Sequence, residues 1–197
     1  DKVNAVHAVC VGGGGGGAGS GDGGNGGGGG GLGWKNNIAV TAGQTYYVYV
    51  GIGGNPNSIV DGVGSLFITT DAFTISSFSV SSNVVTVNTS SSHTFETGDT
   101  VTVDCSFREI NGTFTITKVD SDTFTYSKTF QNYGTTGITG VCFEGSIIVR
   151  GGGGDSGLGT NGGFSSPNDT MVGGTYNGDG GGNGSTQAGR DASTAGG

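Results

Sequence analysis

Short runs in which apolar and polar residues alternate recur along the chain, separated by clusters of Gly, Asn, Asp and Ser. A period of two indicates β-strands with one buried face, and no window of useful length has the 3.6-residue period of an amphipathic helix. The pattern therefore predicts an all-β protein. In the first and last parts of the chain the expected strands are Val6–Val11, Asn37–Thr41, Thr45–Val50, Ser65–Thr69 and Gly145–Arg150.

Two connections have residues typical of turns or loops. Ala42-Gly43-Gln44 separates Asn37–Thr41 from Thr45–Val50, which predicts that these two strands form a β-hairpin. Residues Gly51–Gly64 are rich in Gly, Asn and Pro and are predicted to be a loop.

Between residues 73 and 142 glycine becomes sparse, and Thr, Ser, Val and Phe dominate. Short strands with turn residues between them predict a small β-barrel or sandwich. Because glycine-rich sequence returns after it, we expect residues 73–142 to be a domain inserted into a discontinuous domain, 1–72 and 143–197. The alternating runs of the insert are Asn83–Val87, Thr100–Val103, Thr113–Thr117 and Asp122–Tyr126.

Glycine accounts for 47 of the 197 residues, and much of it lies in three runs, Gly12–Gly33, Gly151–Gly163 and Gly173–Gly184. The spacing lacks the strict triplet of collagen. Apolar strands flank the runs directly, so we expect ordered structure rather than a linker. Ordered glycine loses much conformational entropy, and it has no side chain whose burial could offset that loss. Polyglycine II helices, packed side by side through backbone hydrogen bonds, would offset it. The predicted fold is thus a β-sandwich with a polyglycine II bundle, plus the inserted β-domain.

Charge and composition argue against some classes of function. The net charge is −8 with 7 basic residues, which does not provide the clustered Lys and Arg of a nucleic-acid surface. No apolar stretch is long enough to span a membrane as a helix. The chain starts at Asp1 and stops within glycine-rich sequence, which we expect of a piece of a longer polypeptide.

Catalytic, metal and cofactor motifs are weak. GxGxxG occurs repeatedly in Gly12–Gly33, but poly-Gly does not start the helix that a dinucleotide site needs. His7 and His93 have no metal-ligand spacing, and Cys10, Cys105 and Cys142 show no CxxC pair. The simplest interpretation of these cysteines is that they are buried free thiols, although a disulfide between Cys105 and Cys142 remains an alternative. We expect no enzyme activity, cofactor or metal.

The segment VTAGQTYYVYVGIGG (residues 40–54), with VCVGGGGGG before it and SIIVRGGGG and GGTYNGDGGGNG after it, resembles the glycine-rich domains of bacteriophage tail-fibre and adhesin proteins. The resemblance covers about 1–70 and 143–197. It implies a β-sandwich from which polyglycine II helices project, and loops that bind a host receptor. The middle part resembles, more weakly, small β-repeats of phage structural proteins.

Aromatic and amide residues next to glycine suit a recognition surface. The candidate receptor-binding residues are Trp34, Lys35, Asn36, Asn37, Phe164, Asn168, Met171 and Tyr176. The alternative is that Trp34 and Tyr176 only cap glycine helices by packing.

Three functions are carried forward. The first is a phage tail-fibre or adhesin component on the virion surface, which binds copies of itself (as a trimer), other virion proteins, and a host glycan or outer-membrane protein. The second is an extracellular filament or surface-layer subunit assembled through strands and glycine tracts. The third is an ice-binding or other free binding protein, against which the irregular interruptions of the glycine runs argue.

Overall fold

The computed structural model describes residues 3–17, 27–55, 60–136, 138–154 and 173–176. Within these ranges the chain forms β-strands and one turn of 3-10 helix, Arg108–Ile110, with no α-helix, so the all-β prediction is confirmed. Numbered in chain order, the strands are β1 (Ala5–Val11), β2 (Leu32–Ala39), β3 (Tyr47–Tyr49), β4 (Ser65–Ile68), β5 (Phe73–Ser81), β6 (Val84–Thr89), β7 (Thr100–Cys105), β8 (Gly112–Thr115), β9 (Thr117–Lys118), β10 (Thr123–Ser127), β11 (Tyr133–Thr136), β12 (Gly140–Glu144), β13 (Ile147–Gly151) and β14 (Gly173–Tyr176).

The chain divides into two compact units. Unit 1 takes its residues from Asp1–Thr69 and Ser146–Gly197, and unit 2 is Thr70–Gly145. The composition of the sequence predicts domain boundaries at 72/73 and 142/143.

Unit 1 contains two antiparallel three-stranded sheets, ordered β1-β2-β14 and β13-β4-β3. Cys10 and Ile38 of the first sheet share one small core with Val149 of the second, and Phe67 and Ile148 pack against it. Two sheets that face each other across a shared core form a β-sandwich.

The hairpin predicted around Gly43 is wrong. Gly43 does reverse the chain, with a φ of 85°, and the Gln44 N–H donates to the Thr41 carbonyl at 3.1 Å. The strands on either side nevertheless enter different sheets, because β2 pairs with β1 and β14 while β3 pairs with β4. Both edges of β2 are therefore already occupied.

Five short glycine-rich segments of unit 1 pack side by side: 12–17, 27–31, 51–54, 60–64 and 151–154. Segment 12–17 donates hydrogen bonds to two neighbours in turn. The bonds run from Gly12 to Gly31 O (2.9 Å), Gly15 to Gly28 O (2.8 Å), Gly13 to Val63 O (3.0 Å) and Gly16 to Val60 O (3.0 Å). Each of these neighbours is thus contacted at every third residue of segment 12–17.

The other two segments donate to the same central segment. The N–H of Gly54 bonds Gly14 O and the N–H of Gly154 bonds Gly13 O, both at 2.8 Å. Segment 12–17 is therefore bonded to all four of the others. We call this assembly the glycine bundle.

Glycine is needed in the bundle for space. At ten positions an added Cβ would lie closer than 3.0 Å to backbone atoms of a neighbouring segment: Gly12, Gly13, Gly27, Gly30, Gly51, Gly54, Gly62, Gly151, Gly153 and Gly154. The positive-φ glycines of the described residues are Gly43, Gly98, Gly112, Gly140 and Gly145, none of them in the bundle. Close approach of backbones, not an unusual φ, therefore requires glycine here.

The extent of the predicted glycine runs needs correction. Leu32 and Gly33, at the end of the predicted Gly12–Gly33 run, belong to β2, because they pair with β1. Gly173–Tyr176, at the start of the third run, is strand β14, and 177–184 lies outside the described residues. The predicted loop Gly51–Gly64 instead supplies two segments of the bundle.

Unit 2 is one eight-stranded antiparallel sheet, ordered β8-β7-β12-β5-β6-β10-β9, with β11 beside β5. The sheet curls until its ends nearly meet, and Phe114 of β8 stacks on Tyr126 of β10 at 4.1 Å between ring centroids. Lys128 spans the same gap and donates to the Asn111 carbonyl at 2.8 Å. The result is a nearly closed β-barrel filled by aromatic and β-branched side chains.

The strand predicted over Thr113–Thr117 is broken at Ile116. The Ile116 N–H donates to the Asp99 carbonyl at 3.0 Å, and its carbonyl accepts from Gly98 at 2.9 Å, while its side chain is buried. The chain changes partner here, from β7 on one side to β10 on the other.

Candidate functional site

Trp34 lies in the middle of β2, the central strand of the first sheet. Its register partners are Val9 on β1 and Gly174 on β14. Directly opposite residues of an antiparallel pair share one face, and Val9 is 67% exposed, so half-buried Trp34 lies on the outer face. Leu32 and exposed Val11 form the next pair on that face. The outer face therefore carries an apolar strip next to the glycine bundle.

A β-bulge ends this strip. Val6 pairs with Ile38 and Ala8 with Lys35, so the single residue His7 faces both Asn36 and Asn37. Asn37 has a φ of 54°, the left-handed conformation that Asn tolerates well. The extra residue brings the exposed Asn36 carboxamide within 3.0 Å of the His7 Nδ1. Sequence reasoning did not link His7 to these asparagines, because a bulge leaves no clear signal in the alternation.

The structure separates the four adjacent candidates. Lys35 pairs with Ala8, which packs against the core of unit 1, so Lys35 lies on the face opposite Trp34. Trp34 and Asn36 share the outer face. A ligand on that face would contact Trp34 and Asn36 but not Lys35.

The remaining candidates follow residue 154. Phe164, Asn168 and Met171 lie outside the described residues. Tyr176 ends β14, where its backbone pairs with Leu32. The backbone of β14 therefore brings Tyr176 beside the same strand that carries Trp34.

Unit 2 contains an exposed aromatic group that the sequence reasoning missed. Tyr133 is 40% exposed, and its ring stacks on Phe107 at 4.9 Å with 15° between the planes. Phe107 meets Phe130 edge-on at 5.8 Å. We call Phe107, Phe130 and Tyr133 the aromatic rim. A signal was present in the run Phe130-Gln131-Asn132-Tyr133, where two aromatic residues flank two amides.

Among the described residues, strand β3 is the outer strand of its sheet. Val48 in β3 (68% exposed), and Val50 (80%) and Ile52 (59%) beyond its end, follow one another at every second residue. Edge strands of soluble proteins are normally protected by charge or proline. Neither occurs between Tyr47 and Gly54.

Two ionisable groups of unit 2, Glu144 and Lys128, have shifted pKa values. Burial raises the pKa of the Glu144 carboxyl, and a hydrogen bond and charge from Asp99 raise it further. Burial lowers the pKa of the half-buried Lys128 ammonium, which also lies over the Phe114 ring. Lys128 belongs to the closure of the barrel, where it bridges to Asn111, and Glu144 lies at the end of β12.

In the described parts of the chain no three His, Cys, Asp or Glu side chains come together as metal ligands. Cys10, Cys105 and Cys142 are buried free thiols. Burial raises the pKa of Cys142, which opposes formation of a reactive thiolate.

No helix among the described residues is long and apolar enough to cross a membrane. Comparison of the chain with family models, with curated proteins and with solved structures gave no match.

Proposed function

We propose that the chain is a non-enzymatic virion structural protein, part of a phage tail fibre or receptor-binding adhesin that recognises a host surface. The glycine bundle carries this proposal. Its segments are joined by backbone hydrogen bonds at a spacing that leaves no room for a Cβ at most of its glycines. In this proposal the bundle serves as a rigid element whose backbone groups are paired.

Ordering glycine costs roughly 0.5–1 kcal/mol per residue more than ordering alanine. A function that needs rigidity rather than side-chain chemistry explains why a chain would keep such a structure. A fibre protein outside the cell has that need. Its expected place is the virion surface, with copies of itself and other virion proteins as partners.

The outer face of β1-β2-β14 is the receptor-binding surface in this proposal. Trp34 provides a large apolar ring, and Asn36 with His7 provides adaptable hydrogen bonds at its edge. Residues Lys35, Asn37, Phe164, Asn168, Met171 and Tyr176 stay candidates around it. The receptor would be a host glycan or an outer-membrane protein.

Binding of the labelled protein to a panel of bacterial cells tests the proposal. We expect Trp34→Ala to reduce binding at least about tenfold, since a buried aromatic anchor commonly contributes more than 1.4 kcal/mol. Trp34→Phe keeps a ring and should lose less, and Val119→Ala, an exposed change in unit 2, should lose nothing. Equal binding by Trp34→Ala and the unchanged protein would remove this surface from the proposal, and absence of binding to any cell would contradict recognition.

The exposed apolar residues in and after β3 favour a second function, a subunit of an extracellular filament. Val48, Val50 and Ile52 would be covered by a strand of the next copy, as in β-augmentation. Sedimentation at rising protein concentration separates the two functions. If the chain is a filament subunit, the size of its assemblies increases with protein concentration, and Val50→Lys prevents this increase. If the chain is part of a fibre tip, the size stays constant.

A further inference from the structure

The exposed ring of Tyr133 rests on the core of unit 2. Behind it lie Phe107, at 4.9 Å, and Phe78, which is 2% exposed and stacks on Tyr133 at 5.9 Å and 30°. Phe78 and Phe107 also touch each other at 4.9 Å. A ring supported in this way has little freedom to turn. It presents a fixed flat surface at the edge of the barrel.

Two amide side chains of the adjoining turns are held by hydrogen bonds from the backbone. Asn132 accepts through Oδ1 from the Ser82 N–H at 3.0 Å, and Asn83 accepts through Oδ1 from the Phe130 N–H at 3.3 Å. Each carboxamide thereby uses its oxygen, which leaves its NH2 group as a donor. In the described structure neither NH2 group nor the Tyr133 hydroxyl has a hydrogen-bond partner.

The turn that carries Asn83 is itself rigid. Ser82 and Asn83 form the two-residue connection between β5 and β6, with φ angles of 52° and 65°. Two positive φ values in a two-residue hairpin are those of a type I′ turn. Asn83 on this turn and Asn132, held by Ser82 of the same turn, are therefore positioned before any ligand arrives, which lowers the entropy cost of binding.

We propose that Tyr133, with Phe107, Phe130, Asn83 and Asn132, forms a carbohydrate-binding site for a neutral hexopyranose. A pyranose has an apolar C–H face that packs on an aromatic ring, and hydroxyl oxygens that accept from amide groups. Nucleic-acid bases also stack on aromatic rings, but the chain lacks the basic residues that would neutralise their phosphates.

The site deepens the proposed function and rests on it for the source of the sugar, a polysaccharide of the host surface. It lies in unit 2, apart in sequence from the Trp34 surface. Recognition through Tyr133 and recognition through Trp34 are therefore separable by mutation.

The test is binding of the full chain to an array of neutral hexose-containing oligosaccharides, followed by titration with the best of them. We expect Tyr133→Ala to weaken binding at least about tenfold, and Tyr133→Phe, which keeps the ring, to weaken it by no more than about threefold. Asn132→Asp keeps the oxygen that Ser82 needs and removes the NH2 donor, so it should weaken binding about fivefold. Val119→Ala, an exposed control in the same unit, should change nothing.

Thermal unfolding of each variant shows whether the barrel is intact. If Tyr133→Ala unfolds the barrel, the binding measured for Asn132→Asp alone tests the site, because this substitution removes no packed side chain. Unchanged binding by Asn132→Asp and by a folded Tyr133→Ala would overturn the site, and so would the absence of glycan binding by the unchanged protein. Cell binding measured on the same samples separates the two proposals. Binding to cells without binding to glycans would support the proposed function and contradict the carbohydrate site. Binding to glycans through Tyr133 without binding to cells would support the site and contradict the proposed function.

Discussion

Ile68 and Ile147 are direct register partners at the ends of β4 and β13, although the whole of unit 2 lies between them in sequence. Within unit 2, Phe73 near its start pairs with Cys142 near its end. In each unit, the place where the chain leaves it and the place where the chain returns therefore lie on paired strands. In the order of the chain, unit 2 is inserted where a hairpin turn could join β4 to β13.

Removing Thr70–Gly145 should leave a folded unit 1. Joining residue 69 to residue 146 creates a two-residue loop between Ile68 and Ile147, and the changes Thr69→Asn and Ser146→Gly supply the Asn-Gly of a type I′ turn. We expect cooperative thermal unfolding and dispersed amide NMR signals from this shortened chain. Residues 70–145 alone should fold as well. A shortened chain without cooperative unfolding would show that unit 1 depends on unit 2.

Gly30→Ala should disrupt the glycine bundle, whereas Gly14→Ala should be tolerated. A Cβ at Gly30 would lie inside 3.0 Å of the Gly12 carbonyl, but the nearest atom to a Cβ at Gly14 is 3.4 Å away. Forcing backbones apart costs about 1–3 kcal/mol or more, while alanine where it fits stabilises by about 0.4–1 kcal/mol through the unfolded state. Chemical denaturation of both variants measures the difference. Equal loss of stability would mean that glycine serves flexibility rather than close packing.

His93→Phe should stabilise unit 2. The His93 side chain is 5% exposed and stacks on Phe95 at 4.8 Å, and neither ring nitrogen has a partner in the described structure. An unsatisfied buried polar atom costs about 1–3 kcal/mol, and Phe keeps the ring packing without it. We expect the free energy of unfolding to rise by about 1 kcal/mol. His7→Phe, at an exposed position, is the control, and a His93→Phe variant less stable than the natural protein would indicate a partner for the imidazole.

Glu144→Gln should stabilise the protein at neutral pH but not in acid. The pKa of Glu144 is raised in the folded state by burial and by Asp99, so its ionised form disfavours folding. That penalty is absent below the unfolded pKa of about 4.3 and grows as pH rises through the folded pKa. Because the group is only slightly buried, we expect a gain of about 0.3 kcal/mol at pH 7. The measurement is the midpoint of unfolding at pH 7 and pH 3.5. Glu109→Gln should show no gain, because the charge of Glu109 favours ionised Lys128.

The three cysteines should resist thiol reagents until the protein unfolds. All are buried, and burial raises the pKa of Cys142, which keeps its thiol protonated. With Ellman's reagent we expect fewer than one reactive thiol in the native protein and three in denaturant. Rapid reaction of one cysteine in native buffer would mean that its strand opens easily.

The alternation of side chains was a reliable guide where one face of a strand is buried. Runs such as Val6–Val11 and Asn83–Val87 predicted β1 and most of β6, because Cys10, Val85 and Val87 point into cores. Alternation carries no information about which strands pair, and this is why the hairpin at Gly43 was wrong. Strand β5, rich in serine, was not singled out, because its buried Ile75 and Phe78 stand three residues apart around a register shift.

The candidate site was only partly visible in the sequence. Alternation alone places Trp34 and Asn36 on one face and Lys35 on the other, but the contact of Asn36 with His7 depends on the bulge. The aromatic rim joins Phe130 and Tyr133, which are close in sequence, to the distant Phe107. Residues distant in sequence reveal no such cluster in a linear pattern.

By itself the sequence determined that this chain is a β-protein and that its glycine needs backbone partners, because both follow from local chemistry: side-chain period, and the absence of a side chain. Only the tertiary structure decided which backbones those partners are. Segments 51–54 and 60–64 look like an ordinary loop, yet they bond segment 12–17 as closely as the longer runs do. A hydrogen bond between distant backbone groups does not depend on residue type, so the sequence does not show it. A lack of space for a Cβ does show in the sequence, because the crowded positions are glycine.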